Sequence, residues 1–287
     1  MKTQVMHART LLSLALMAAP LLALAEGNSP WLPIPGQISA SIGYVTQKAD
    51  EAYIGTTKLA VSAITGGAAT KYDRSSTKLR VDYGLTDSVA LDAALSFGST
   101  SVGGADKDSG ATDSVIGLRW RVLDEYEQPS MPTVTLRGAA IIKGSYQGAR
   151  LAALGKAANG FEASIIVGKE LTPAIAAYGE LGLLSYSNNV PNATFYEIGT
   201  RIRVAPGWST SVAYTNKKFA GDLDIGGPGF TPARFQQVRE ERSLVKLGVN
   251  FAFAANQGVA LSYAMVTNGR NTVKDNSILG ISYTYGF

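Results

Sequence analysis

Val245-Lys246-Leu247-Gly248-Val249-Asn250-Phe251-Ala252-Phe253 alternates without a break: Val245, Leu247, Val249, Phe251 and Phe253 fall on one side, Lys246, Gly248 and Asn250 on the other. A period of two marks a β-strand, because successive side chains of an extended chain point to opposite faces. The pattern recurs. Leu79, Val81 and Tyr83 oppose Lys78, Arg80 and Asp82; Ile116, Leu118, Trp120 and Val122 oppose Gly117, Arg119 and Arg121; Tyr196, Ile198, Ile202 and Val204 oppose Glu197, Gly199, Arg201 and Arg203. Twelve such segments span 37–46, 76–84, 89–98, 113–122, 132–143, 160–169, 175–185, 194–204, 208–217, 243–253, 258–267 and 277–287. Clusters of Gly, Asn, Asp, Pro and Thr separate them, as turn chemistry requires. Charges on a strand mostly share one face, with Lys169 at a segment end as an exception.

A soluble sandwich would bury the apolar faces and wet the charged ones. Two features point instead to a transmembrane barrel. Aromatic residues gather near strand ends on the apolar faces (Tyr44, Tyr83, Phe97, Tyr214, Phe253, Tyr283, Tyr285), as in the girdles at two membrane interfaces. The connections also alternate: 85–88, 123–131, 172–173, 205–207 and 254–257 are mostly tight, while 47–75, 99–112, 144–159, 186–193, 218–242 and 268–276 are longer. Short periplasmic turns and long outer loops have that rhythm. The 287 residues, with 46% hydrophobic, 17% charged and a mean hydropathy of +0.07, are too polar for a bundle of membrane helices and too apolar for disorder. The expected fold is all-β: an antiparallel up-and-down transmembrane β-barrel of about 12 strands over 37–287.

Lys2 and Arg9, the apolar run Leu11 to Leu22 and the small-x-small site Ala23-Leu24-Ala25 read as a signal peptide, 1–25, cleaved after Ala25. Residues 26–36 then form a periplasmic N-terminal segment. Cleavage removes His7, the single histidine, from a chain that has no cysteine. The positive charges are dispersed, so no nucleic-acid partner is expected. The last segment alternates through Tyr285 to a terminal Phe287, resembling the signal that outer-membrane proteins offer to their assembly machinery. The expected location is the outer membrane, with both termini periplasmic and with the lipid bilayer, lipopolysaccharide and the assembly machinery as partners.

Tyr83-Gly84-Leu85-Thr86-Asp87-Ser88-Val89-Ala90-Leu91 resembles the hairpin YGLTD-x-x-x-L common in a group of Gram-negative barrels, the MetA-pathway of phenol degradation family. The lead-in Trp31-Leu32-Pro33-Ile34-Pro35-Gly36 is similar to that group as well. The resemblance implies an outer-membrane barrel that passes small compounds, aromatic or hydrophobic ones among them. It carries over no functional residue. The short segment ahead of the first strand also leaves no room for the long N-terminal hatch of the related uptake barrels.

Enzymatic function is not expected. The phospholipase, palmitoyltransferase and omptin barrels rely on an active-site histidine, and a chain without His or Cys lacks their base and nucleophile pairing. Gly103-Gly104 and Gly226-Gly227-Pro228-Gly229 lack phosphate-loop spacing, and no cofactor is expected. Asp222, Asp224 and Glu240-Glu241 are candidates for a surface cation site, though a solvated loop accounts for them better. The inner face holds the candidate pore-lining residues. Nine cations, Lys78, Arg80, Arg119, Arg121, Arg137, Lys143, Arg201, Arg203 and Lys246, stand against five anions, Asp82, Asp92, Glu162, Glu180 and Glu197. Cross-strand pairs such as Arg80 with Asp92 or Glu180 with Arg201 would fix register, and the surplus of cations would bias a pore toward anions. The expectation is a passive channel or uptake pore for small solutes, with aromatic, hydrophobic and anionic compounds as candidates. The alternative is a non-conducting structural or surface-interaction barrel plugged by its own charges.

Overall fold

The computed structural model describes residues 29–103, 106–148, 150 and 153–287, so the expected signal peptide 1–25 lies outside the described residues. Sixteen strands follow in order: β1 (Ile38–Ala49), β2 (Glu51–Ile54), β3 (Thr57–Ala60), β4 (Tyr72–Gly84), β5 (Val89–Val102), β6 (Asp106–Ala111), β7 (Ser114–Leu123), β8 (Thr133–Ile142), β9 (Gly160–Thr172), β10 (Ile175–Tyr186), β11 (Ala193–Ala205), β12 (Trp208–Phe219), β13 (Glu241–Ala254), β14 (Gln257–Arg270), β15 (Val273–Lys274) and β16 (Ser277–Gly286). One helical turn, α1 (Val61–Ile64), and a 3-10 turn at Pro232–Gln237 complete the described elements.

Twelve strands, β1, β4, β5, β7 to β14 and β16, pair antiparallel with their successors. The β1–β16 ladder closes the ring, from Ser39 opposite Gly286 to Lys48 opposite Ser277. The fold is therefore a closed twelve-stranded up-and-down barrel, and each strand coincides with one alternating segment of the sequence. Closure leaves no barrel edge unpaired, which hydrocarbon demands of any β-structure that crosses it. The first and last barrel strands are partners, so both ends of the described chain lie at the rim that carries the short turns. At Pro206-Gly207 the turn needs a left-handed residue: Gly207 has φ +75°, and a Cβ there would stand 2.6 Å from the Ala252 carbonyl oxygen.

The alternation translates directly into exposure. Leu118 and Val249 are 47% and 40% exposed, whereas Arg119 and Asp92 are 2% and 3% exposed. The molecule turns apolar side chains outward and buries charge, the reverse of a soluble domain and the pattern of a barrel for lipid. Aromatic pairs reinforce the outer face: Trp208 stacks on Phe251 with centroids 4.4 Å apart, and Phe253 on Tyr283 at 6.4 Å.

The strands run longer than the alternation indicates at the rim of the long connections. β4 begins at Tyr72 and β5 continues to Val102 because the ladder persists where Asp73, Arg74, Ser75 and Ser76 make both faces polar. β6, in a stretch expected as loop, pairs with the end of β5 in line with β7. Small apolar clusters sit at this end, Ala49, Val61, Ala69, Tyr72 and Val273 in one, and Ile141, Ala158, Leu184, Val190, Ala193 and Phe219 in another.

Candidate functional site: a charged lumen and its two mouths

Residues i and i+2 of a strand share a face, so Arg80 reaches Asp82 on its own strand, Nε donating at 2.8 Å and Nη2 at 2.9 Å. Asp82 also accepts from Arg119 Nη2 on β7. Arg119 Nε lies 3.4 Å from Asp92 Oδ1, and Arg137 of β8 donates to the same carboxylate through Nη2 at 2.7 Å. Arg137 Nη1 then bonds Glu162 of β9. The result is a chain of alternating charge, Arg80, Asp82, Arg119, Asp92, Arg137, Glu162, across five neighbouring strands. It answers a specific problem: Arg119 and Arg137 face each other in the β7–β8 register, and Asp92, shared between them, together with Asp82 and Glu162 offsets two guanidinium groups that would repel. Buried ions cost several kcal/mol each unless paired with good geometry.

Such bridges need low ground to cross. Arg137 reaches Asp92 over β7 at Gly117, where a Cβ would stand 2.9 Å from Arg137 Nη2 and from both Asp92 oxygens. Lys246 of β13 reaches Glu197 of β11 over β12, where its register partner is Ala213. Glu180 stands opposite Glu197 in the β10–β11 register and accepts from Ser164 Oγ at 2.7 Å.

The other candidates lie apart from this group. Lys78 is half-buried on the inner face of β4. Arg121 is at the short-turn rim, 3.0 Å from Asp124 and donating to the Asp87 carbonyl. Arg203 is exposed at that rim, and Lys143 is exposed just past the end of β8, so Lys143 belongs to a loop and not to the strand face expected for it. Tyr285 meets Phe287 edge-on at 4.7 Å.

Sequence reasoning missed how residues 29–36 are used. They enter the barrel mouth. Pro30 is fully buried; its carbonyl accepts from Thr135 Oγ1 at 2.7 Å, and its ring packs where a Cβ on Gly168 would stand 2.5 Å away. Arg201 lies over the Trp31 ring, 5.2 Å from its centroid. Trp31 Nε1 donates to Glu125 Oε1 at 2.9 Å, and the Glu170 backbone N–H donates to Glu125 Oε2 at 2.9 Å. Burial, with Glu170 and Glu125 nearby, pushes the Tyr126 phenol above its ordinary range. The one available signal was the Pro-Trp-x-Pro-x-Pro run, whose composition suits a tethered extended segment.

At the opposite mouth the loop acids are taken up by the protein's own donors. Asp224 accepts from Arg270 Nε at 2.8 Å and from Asn271 Nδ2 at 2.7 Å, and these bonds hold its carboxyl below the usual range. Burial would raise Glu240, but Lys156 beside it pulls it down; that ammonium also lies 4.0 Å from the Phe219 ring centroid. Burial and a 2.6 Å hydrogen bond to Asp113 keep Tyr146 protonated well above its ordinary range.

No family model matches the chain, and no curated protein matches it. Solved structures do share its fold. An outer membrane channel from Pseudomonas putida F1 superposes with a TM-score of 0.74 at 18% identity, covering 92% of this chain and 100% of its own. The NanC porin gives 0.50 at 9% identity, with 86% and 98% covered. The translocator domain of the autotransporter NalP from Neisseria meningitidis gives 0.50 at 11%, with 99% and 95% covered.

Proposed function

We propose that this chain is an outer-membrane channel for small solutes. The observation that carries the reading is the inversion of the barrel, with an exposed apolar belt bounded by aromatic residues and charge buried inside. That surface suits hydrocarbon, and a polar interior suits a pathway through it. Kinship in fold with an outer membrane channel and a porin supports it. In this reading 1–25 is removed after Ala25, both ends face the periplasm, and Tyr285 with Phe287 serves assembly. The inner charges from Lys78 to Lys246, Lys143 excepted, border the pathway, and the hairpin at Tyr83–Leu91 agrees with the MetA-pathway resemblance.

The chain of matched charges, with buried Pro30 and half-buried Trp31 in the mouth, favours a second reading, a barrel plugged at rest. Planar-bilayer recording of the refolded chain separates the two. Steady single-channel steps support the channel, and a silent bilayer supports the plug.

A further inference from the structure

The inner face does not carry side chains of equal size around its circumference. On β4, β5 and β7 to β11, Arg80, Asp92, Arg119, Arg137, Glu180 and Glu197 are buried, held in place by one another and by the network around them. From β12 through β13, β14 and β16 to β1 the inner positions are mostly small. Ser41, Ser211, Ser262 and Gly280 are half-buried, with buried Ala213, Ala260 and Ala264 beside them; Asp82 and Glu162 of the charged wall are half-buried as well, so the walls differ in the size and charge of their side chains. Their inward direction follows from their neighbours: Ile42, Val212, Leu261 and Ile281 point outward, 44–57% exposed. Among the described residues the inner apolar side chains of this wall, Val45, Leu244, Val266, Ile278 and Phe219, lie in the halves of their strands nearer the long loops, Val45 directly opposite Gly280.

Resting on the channel reading, we infer that solute travels along this hydroxyl-lined wall, and that the lane takes small neutral hydroxylated solutes. Two physical arguments select that class. A lane of Ser, Gly and Ala offers hydrogen bonds but no broad apolar surface, so it has little to hold an aromatic or aliphatic solute. The large charges, those of the opposite wall and Lys246 of β13 itself, lean on charges of opposite sign, Lys246 on Glu197, and such a balanced set projects little field into the lane. Anions and cations are thus offered no compensation for lost hydration. The class differs from the aromatic and anionic candidates that the sequence suggests.

A chain with no cysteine of its own allows a clean test. Ser211→Cys, Ser262→Cys and, on the charged wall, Ala139→Cys are refolded singly and treated with a water-soluble thiosulfonate. Positions 211 and 262 should label about tenfold or more faster than 139, since access governs thiol reaction. Liposome swelling by the refolded wild type then compares arabinose with gluconate, and arabinose should enter several-fold faster. Labelling of position 139 as fast as 211 overturns the lane. Faster entry of gluconate, with the lane labelled, overturns the solute class alone. Labelled lane positions with no entry of any solute overturn the channel reading, and the solute class with it.

Discussion

On the wall from β4 to β9 Arg80, Asp82, Asp92, Arg119, Arg137 and Glu162 lean on one another, while from β12 round to β1 most inner positions carry hydroxyls, methyls and bare glycine, with exceptions such as Lys246 and Asn250. The first wall has its register fixed twice, by the backbone ladder and by charged side chains bonded across neighbouring strands. The second relies on the ladder, on the outer aromatic stacks of Trp208 with Phe251 and Phe253 with Tyr283, and on a few mostly neutral cross-strand bonds such as Asn216 Nδ2 to Ser243 Oγ at 2.9 Å. On the proposed pathway, rigidity and access lie on opposite sides of one barrel. Stability should respond to inner substitutions on the first wall and solute passage to those on the second.

The largest expected effect is on the charged wall. Asp92→Asn leaves Arg119 and Arg137 facing each other without their shared counter-charge, and stripping one member from a buried group costs about 3–5 kcal/mol. Ser262→Ala on the other wall should stay within about 0.5 kcal/mol. Reversible urea unfolding in detergent micelles measures both, and equal losses would erase the distinction between the walls. Next comes Leu118→Arg, which turns a charge toward lipid one residue away from the paired Arg119. It should cost about 2–4 kcal/mol at mid-membrane depth by the same assay.

The difference between the walls was only half legible in the sequence. The strong alternation at 76–84 and 113–122 places charge opposite lipid-facing side chains, because a strand between hydrocarbon and a polar interior must segregate them. Which charges meet was less legible. Arg80 takes Asp82 from its own strand, and bridges such as Arg137 to Asp92 skip a strand, crossing at Gly117. No spacing rule within one strand encodes that. Strand ends were lost where both faces turn polar, as at Asp73 to Ser76, and Lys143 was assigned a face although β8 stops at Ile142. The tucked Pro30 and Trp31 were invisible for another reason: their partners Thr135 and Glu125 lie 105 and 94 residues away, so no local periodicity reports them.

Those contacts supply a smaller effect. Glu125→Ala removes the acceptor of Trp31 Nε1 and of the Glu170 backbone N–H, loosening residues 29–36 by about 1–3 kcal/mol. Trypsin does not read this region well, so chymotrypsin cleavage after Trp31 is the measurement; protection equal to wild type would show that other contacts hold the segment. A weaker effect is expected at the opposite mouth. The carboxyl of Asp224 is depressed by Arg270 and Asn271, so its contribution is present above the ordinary carboxylate range, near pH 3.8, and is lost as pH falls through the depressed value. Pepsin cutting within 220–240, normalised at each pH to an unfolded reference peptide, should rise as pH falls below the ordinary carboxylate range, and Asp224→Asn should flatten that dependence.

The smallest expected effect concerns charge selectivity, and its smallness is the point. Arg137 and Glu162 are bonded directly, so beyond the pair their fields largely cancel and salt within about 10 Å screens the remainder. Removing both together as Arg137→Gln with Glu162→Gln should leave the reversal potential in a salt gradient unchanged. Arg137→Gln alone uncovers carboxylates at Asp92 and Glu162, so its reversal potential should move toward cation preference. The reversal potential is read in open channels only, which makes residual folding loss harmless to the comparison. A shift in the double variant as large as in the single one would mean that Arg137 addresses the pathway by itself, and the inner charges would then select solutes rather than hold the wall.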